Sequence, residues 1–115
     1  MALNVALYTI TSKTVDATEY SITNDSTTIA SKTDVSVIAI EIDTSAMAAG
    51  DEYEIAIREK VVSSGSQYRR VLANLVGAQP DPFFASGFFV GVGWDVTIQK
   101  IAGTDRAFSA SIRSA

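Results

Sequence analysis

Glu52-Tyr53-Glu54-Ile55-Ala56-Ile57-Arg58-Glu59-Lys60-Val61-Val62, then Ser63-Ser64-Gly65-Ser66, then Gln67-Tyr68-Arg69-Arg70-Val71-Leu72-Ala73-Asn74-Leu75-Val76 is the stretch that decides the fold. Its first part alternates with a period of two. Tyr53, Ile55 and Ile57 point one way, while Glu52, Glu54, Arg58 and Lys60 point largely the other. Successive side chains leave a β-strand on opposite sides, so this is a strand with one buried face. The small polar run around Gly65 is a hairpin loop. Residues 67–76 return as a second strand, with Tyr68, Leu72 and Val76 on one face and Val71, Ala73 and Leu75 on the other.

The same alternation recurs outward in both directions. Residues 3–11 predict a first strand, with Leu3, Val5 and Leu7 on one face and Tyr8 and Ile10 on the other. A short strand is expected around Thr18–Thr23, carrying Tyr20 and Ile22, before the turn-forming run Asn24-Asp25-Ser26-Thr27-Thr28. Asp34–Asp43 is apolar on both parities in its middle, which predicts a strand covered on both sides. Thr44–Gly50 alone has helical character, expected as a single turn closed by Gly50. Gln79-Pro80-Asp81-Pro82 breaks any ladder, since proline cannot donate. Three further strands are expected at Phe83–Val90, at Trp94–Gln99 and at Arg106–Arg113, the last with Phe108, Ala110 and Ile112 inward. About eight short strands with turns between them predict a single all-β domain over residues 1–115. An antiparallel, jelly-roll-like sandwich fits eight strands best, with a seven-stranded immunoglobulin-like sandwich as the alternative.

Composition narrows the chemistry. The 115 residues include no cysteine and no histidine. Disulfides, thiolate metal sites, a cysteine nucleophile and a Ser-His-Asp triad are therefore excluded. The net charge is −4 with 9 basic residues and no basic run, so a surface that tracks phosphates is not expected, and neither is nucleic-acid binding. No apolar stretch is long enough to cross a bilayer. Met1-Ala2-Leu3-Asn4 has neither the charged region nor the apolar core of a signal peptide, so synthesis in a cytoplasm is expected.

Several constellations bear on function. Asp81, Asp95 and Asp105 lie at loops or strand starts, but without calcium-loop spacing they read as turn-capping residues, and no metal or cofactor is expected. Glu52, Glu54 and Glu59 with Arg58 and Lys60 read as a solvated face with cross-strand ion pairs. Gly91-Val92-Gly93 lacks the lysine and the helix of a phosphate loop. The most informative segment is Phe83-Phe84-Ala85-Ser86-Gly87-Phe88-Phe89-Val90-Gly91-Val92-Gly93-Trp94, which holds four of the 5 phenylalanines and the only tryptophan. Adjacent phenylalanines occupy both faces of one strand. Either the strand is central and buried on both sides, or one member of each pair meets a partner. Phe83, Phe84, Phe88, Phe89 and Trp94, with the basic pair Arg69-Arg70, are the candidate interface residues.

Taken together, Gly50-Asp51-Glu52-Tyr53-Glu54-Ile55, Arg58-Glu59-Lys60, Gly77-Ala78-Gln79-Pro80-Asp81-Pro82, Gly93-Trp94-Asp95-Val96-Thr97 and Ala102-Gly103-Thr104-Asp105-Arg106 resemble small virion structural proteins of tailed bacteriophages, of the capsid decoration (cement) type. The resemblance spans residues 50–113 and rests on turns and strands, so it carries over no catalytic residue. It implies a sandwich that forms homo-oligomers, often trimers, and sits on the capsid surface of the virion, bound to the major capsid protein. It implies no enzyme. A tail- or fibre-associated domain is the nearest rival. A carbohydrate-binding or adhesin module is another, with Tyr8, Tyr20, Tyr53 or Tyr68 stacking on sugars, and a two-carboxylate glycosidase is a more distant one.

Overall fold

A computed structural model describes residues 5–115. The chain forms β1 (Ala6–Val15), β2 (Tyr20–Ser21), β3 (Ser36–Asp43), β4 (Glu52–Glu59), β5 (Tyr68–Val76), β6 (Phe83–Val90), β7 (Asp95–Ala102) and β8 (Arg106–Ser114). They make two antiparallel four-stranded sheets, ordered β1-β8-β3-β6 and β2-β7-β4-β5. The order has a simple logic. β4 pairs with β5 as a hairpin, and then β3 with β6, β2 with β7 and β1 with β8, as if one long hairpin were rolled up on itself. Rolling adds the contacts β3–β8 and β4–β7 that close each sheet. This is the jelly-roll sandwich, and the immunoglobulin-like alternative falls away.

The core lies between the sheets and is dominated by isoleucine. Ile38, Ile40 and Ile42 from β3 and Ile112 from β8 face Ile55 and Ile57 from β4 and Ile98 from β7, all essentially inaccessible to solvent. β-Branched side chains suit a pleated surface, and each buried one contributes about 1.5–3 kcal/mol. Tyr53 and Phe108 cross the layer edge to face, with ring centroids 4.7 Å apart. Trp94 is 0 % exposed and meets the edge of Tyr8 at 6.0 Å.

Five expectations need correction. β3 is buried on one face only: Ser36, Ile38, Ile40 and Ile42 point inward, whereas Val37 and Glu41 are exposed because, among the described residues, no third layer covers the sheet. Thr44–Gly50 makes turns and no helix, with Met47 N–H on the Thr44 carbonyl (3.0 Å) and Asp51 N–H on that of Ala48 (3.1 Å). The Asp51 carboxylate accepts the Ala48 N–H at 2.9 Å, capturing a donor that a helix would need, and so short a segment cannot nucleate alone. The strand expected at Thr18–Thr23 shrinks to Tyr20–Ser21, because its flanks turn: Thr18 N–H bonds Asp16 Oδ1 at 2.8 Å and Asn24 N–H bonds Ser21 Oγ at 3.1 Å. In β5 the register slips between its partners Ile55 and Ala56, a bulge at Leu72 that sends Val71 outward while Ala73 and Leu75 face in. The first strand begins at Ala6 and runs on to Val15; Leu3 lies outside the described residues.

Candidate partner-binding face

The outer surface of the β1-β8-β3-β6 sheet divides into two halves, and its registers show why. Thr9 pairs with Ser111 and Ser111 with Glu41, so one end is lined by hydroxyls and carboxylates. A shallow groove of about 460 Å³ runs there past Thr11, Asp43 and Ser109. At the other end Leu7 pairs with Arg113, Arg113 with Ala39, and Val37 with Phe89. Here Val5, Leu7, Val35, Val37 and Phe89 stand exposed, and a mostly apolar hollow of about 220 Å³ is lined by Val5, Val37, Ala39, Gly87 and Arg113. Phe89 is 75 % exposed and Phe84, one strand-turn away beside Glu41, is 56 % exposed.

A bulge puts both rings on this face. In an unbroken strand residues 84 and 89 would point to opposite sides. The β3–β6 register instead jumps from Ile38↔Phe88 to Ala39↔Ser86, leaving Gly87 as an extra residue with φ +79°. Glycine adopts that conformation without a Cβ penalty. Phe83 and Ala85 consequently turn inward opposite Ile42 and Ile40, and Val90 is buried.

The candidate interface residues therefore separate. Phe84 and Phe89 share one exposed surface; Phe83 is half-buried and packs on the core. The side chain of Phe88 lies outside the described residues. Trp94 is wholly interior and presents nothing to a partner. Arg69 is only partly exposed and is held on the other sheet, while Arg70 is exposed and pairs with Glu59 at 3.2 Å. β6 is an edge strand with one open face, not a central strand covered twice.

The opposite sheet leaves Val71, Leu72 and Val76 of β5 exposed but also carries a polar cluster that the sequence reading missed. Arg58 and Arg69 stand directly opposite each other in the β4–β5 ladder, a like-charge pair that needs an anion. Glu19 supplies it. Its carboxylate accepts Arg58 Nη2 at 2.6 Å, Arg69 Nε at 3.1 Å and the Thr97 hydroxyl, and Arg69 goes on to Glu54 at 3.0 Å. Burial pushes the Glu19 carboxyl up, but the bonds from Arg58 and Thr97 and the two guanidinium charges outweigh it and hold the group below its ordinary value. Asp95, fully buried beside this cluster, accepts the Thr23 hydroxyl at 2.6 Å and Ala30 N–H at 2.8 Å.

A second polar knot ties β4 to the β7–β8 turn. Asp51 accepts N–H bonds from Thr104 and Ala48 (both 2.9 Å) and pairs with Arg106 Nε at 2.8 Å. Those two amides, with the Arg106 guanidinium, hold its carboxyl at about 2 against the opposing push of burial. Tyr53 Oη accepts Arg106 N–H at 2.8 Å and donates to the Thr104 carbonyl at 2.9 Å.

These contacts account for the remaining sequence candidates. Asp95 and Asp105 are engaged separately, the latter with Lys100, and among the described residues no three acidic side chains gather as a metal site would need. Glu54 makes the expected cross-strand pair, but Glu59 is buried, accepting Tyr68 Oη and Gly91 N–H at 3.0 and 2.7 Å. Tyr53 is interior, Tyr8 and Tyr20 pack against the core, and Tyr68 is held by Glu59, so the tyrosines build no common platform. No family model and no curated protein sequence matches the chain.

Proposed function

We propose that the protein is a structural component of a tailed-bacteriophage virion, a decoration (cement) protein that binds the capsid lattice through the apolar end of its exposed sheet face. One observation carries this reading: Leu7, Val37 and Phe89 stand in water at that end, with Phe84 exposed farther along the same face beside Glu41. Contiguous apolar surface of this kind marks a contact site, and large aromatics anchor such contacts. The jelly roll supports the reading as a fold shared by viral capsid domains, although it is equally shared by lectins. The resemblance of residues 50–113 to decoration proteins supplies the partner, the major capsid protein, and a homo-oligomeric state. The mechanism is a clamp. A protein that binds only the expanded shell stabilises it by mass action, and many copies on one lattice need only modest individual affinity.

The test is co-sedimentation with expanded and unexpanded capsid shells, followed by calorimetry of the loaded shells. Binding to expanded shells with a raised shell melting temperature is expected. Indifference to both shells, or preferential binding to purified tails or to glycans, overturns the proposal.

A further inference from the structure

The four sheet edges are unequally defended against pairing with another chain. Free edges attract strands, and proteins blunt them with charge, brevity or irregularity. β2 is two residues long. β1 carries Lys13 and an irregularity at Ser12, where φ is +49°. β5 carries Arg69, Arg70 and its bulge. β6, Phe-Phe-Ala-Ser-Gly-Phe-Phe-Val, lies at the other end of its sheet and has eight residues with no charge and no proline; its one irregularity is the bulge at Gly87, which leaves the strand uncharged throughout.

We propose that β6 pairs antiparallel with β6 of a second copy about a two-fold axis, joining the two exposed sheets into one of eight strands. This deepens the reading of the face as an assembly surface and rests on it. Two features select a second copy as the occupant. First, an isologous antiparallel contact sets a strand against its own sequence, which is electrostatically neutral here, whereas β5 would bring its arginine pairs together. Second, the bulge makes the strand self-complementary. In a regular strand, residues an odd number apart lie on opposite faces and cannot pair with each other across a two-fold axis. The extra residue at Gly87 puts Phe84 and Phe89 on one face and Phe83 and Val90 on the other. A two-fold centred between Ser86 and Gly87 then sets Phe84 against the partner copy's residue 89, outward on outward, and Phe83 against its residue 90, inward on inward. The aromatic rings close over each other twice, and each copy's Phe89 is set against the partner copy's Phe84, beside Glu41 of that copy. The two-fold makes the dimer, and not an isolated trimer, the unit of assembly.

The absence of natural cysteines makes the register directly testable. Two residues five apart in one strand are about 16 Å apart, too far for an internal disulfide. The double variant Phe84→Cys/Phe89→Cys, oxidised at tens of micromolar, is expected to run as a covalent dimer, while either single variant stays uncrosslinked. In native mass spectrometry the wild type is expected in even copy numbers. Phe84→Lys/Phe89→Lys is expected to be monomeric with an unchanged circular dichroism spectrum, and Val71→Lys on β5 to remain dimeric. A monomeric or strictly trimeric wild type, equal crosslinking by the single variants, or a charged double variant that is folded and still dimeric overturns the pairing. Shell binding is scored separately. A monomer that binds expanded shells overturns the pairing alone, and a dimer that ignores shells overturns the virion reading alone.

Discussion

Replacing Glu19 by glutamine keeps the shape of the side chain and removes its charge. The structure sets the size of the effect. Glu19 receives three hydrogen-bonding groups, two of them guanidiniums that face each other across the β4–β5 ladder. A hydrogen bond to a charged group contributes about 1.5–3 kcal/mol, and removing one partner of a fully buried ion pair costs about 3–5 kcal/mol. Arg58 and Arg69 each keep about a quarter of their side-chain surface in water, 25 % and 24 %, so solvent partly replaces the lost anion. Glutamine also retains one acceptor. Together these place Glu19→Gln at about 2 kcal/mol of lost stability, or about 8 °C of melting temperature for a domain of this size. The sign with pH follows from the depressed carboxyl. Its contribution is present above the unfolded pKa, about 4.3, and is lost as pH falls through the lower folded value. Urea denaturation of both proteins at pH 7 and pH 3 measures this, with the gap between them narrowing at the lower pH. A loss below about 0.5 kcal/mol at pH 7, the usual scale of exposed pairs, or a gap that is the same at both pH values, refutes the reasoning.

Asp51→Asn is expected to flatten the acid limb of the stability profile. The wild type loses the Asp51 contribution between pH 4 and its folded value of about 2, and acid titration followed by circular dichroism will show the variant without that step. Tyr53→Phe leaves Arg106 N–H and the Thr104 carbonyl without their hydroxyl partner, so a cost of about 1–3 kcal/mol is expected in equilibrium denaturation. Gly103→Ala combines φ +93° with a new Cβ only 2.6 Å from Asp51 Cα, and it is expected to cost more than about 2 kcal/mol by thermal melting.

Periodicity of two made the strands legible, because isoleucines at alternate positions of β3 and β4, and Val96 and Ile98 of β7, have only one way to face a core. Position within the sheet was not legible. Val35, Val37 and Ala39 read as buried because apolar residues on both parities match a doubly covered strand, and only the assembled sheets show that no described element lies over them. Bulges were equally silent: Gly87 signals one, but which side Phe89 takes depends on the partner strand's register. At the candidate face, the pairing of phenylalanines exposed a surplus of apolar surface, yet it grouped Trp94 with them wrongly, since a tryptophan after Gly93 in this fold caps the core. Glu19 was missed because its partners lie 39, 50 and 78 residues away in the chain. A trace was present all the same. Two arginines equidistant from a hairpin turn fall opposite one another, and such a pair calls for a carboxylate from elsewhere.

The rolled-hairpin topology also governs the order in which the molecule can assemble. Only β4 and β5 are near neighbours in sequence, whereas β3, made early, finds both its sheet partners, β6 and β8, far downstream. Ordering then has to wait for distant segments, and domains dominated by such pairings fold in milliseconds to seconds. During translation at about 5–20 residues per second, β3 emerges several seconds before β8 can cover its second edge. For that interval its isoleucines are a nucleus for intermolecular clumping, so soluble yield should respond more sharply to growth temperature and expression rate than equilibrium stability alone suggests.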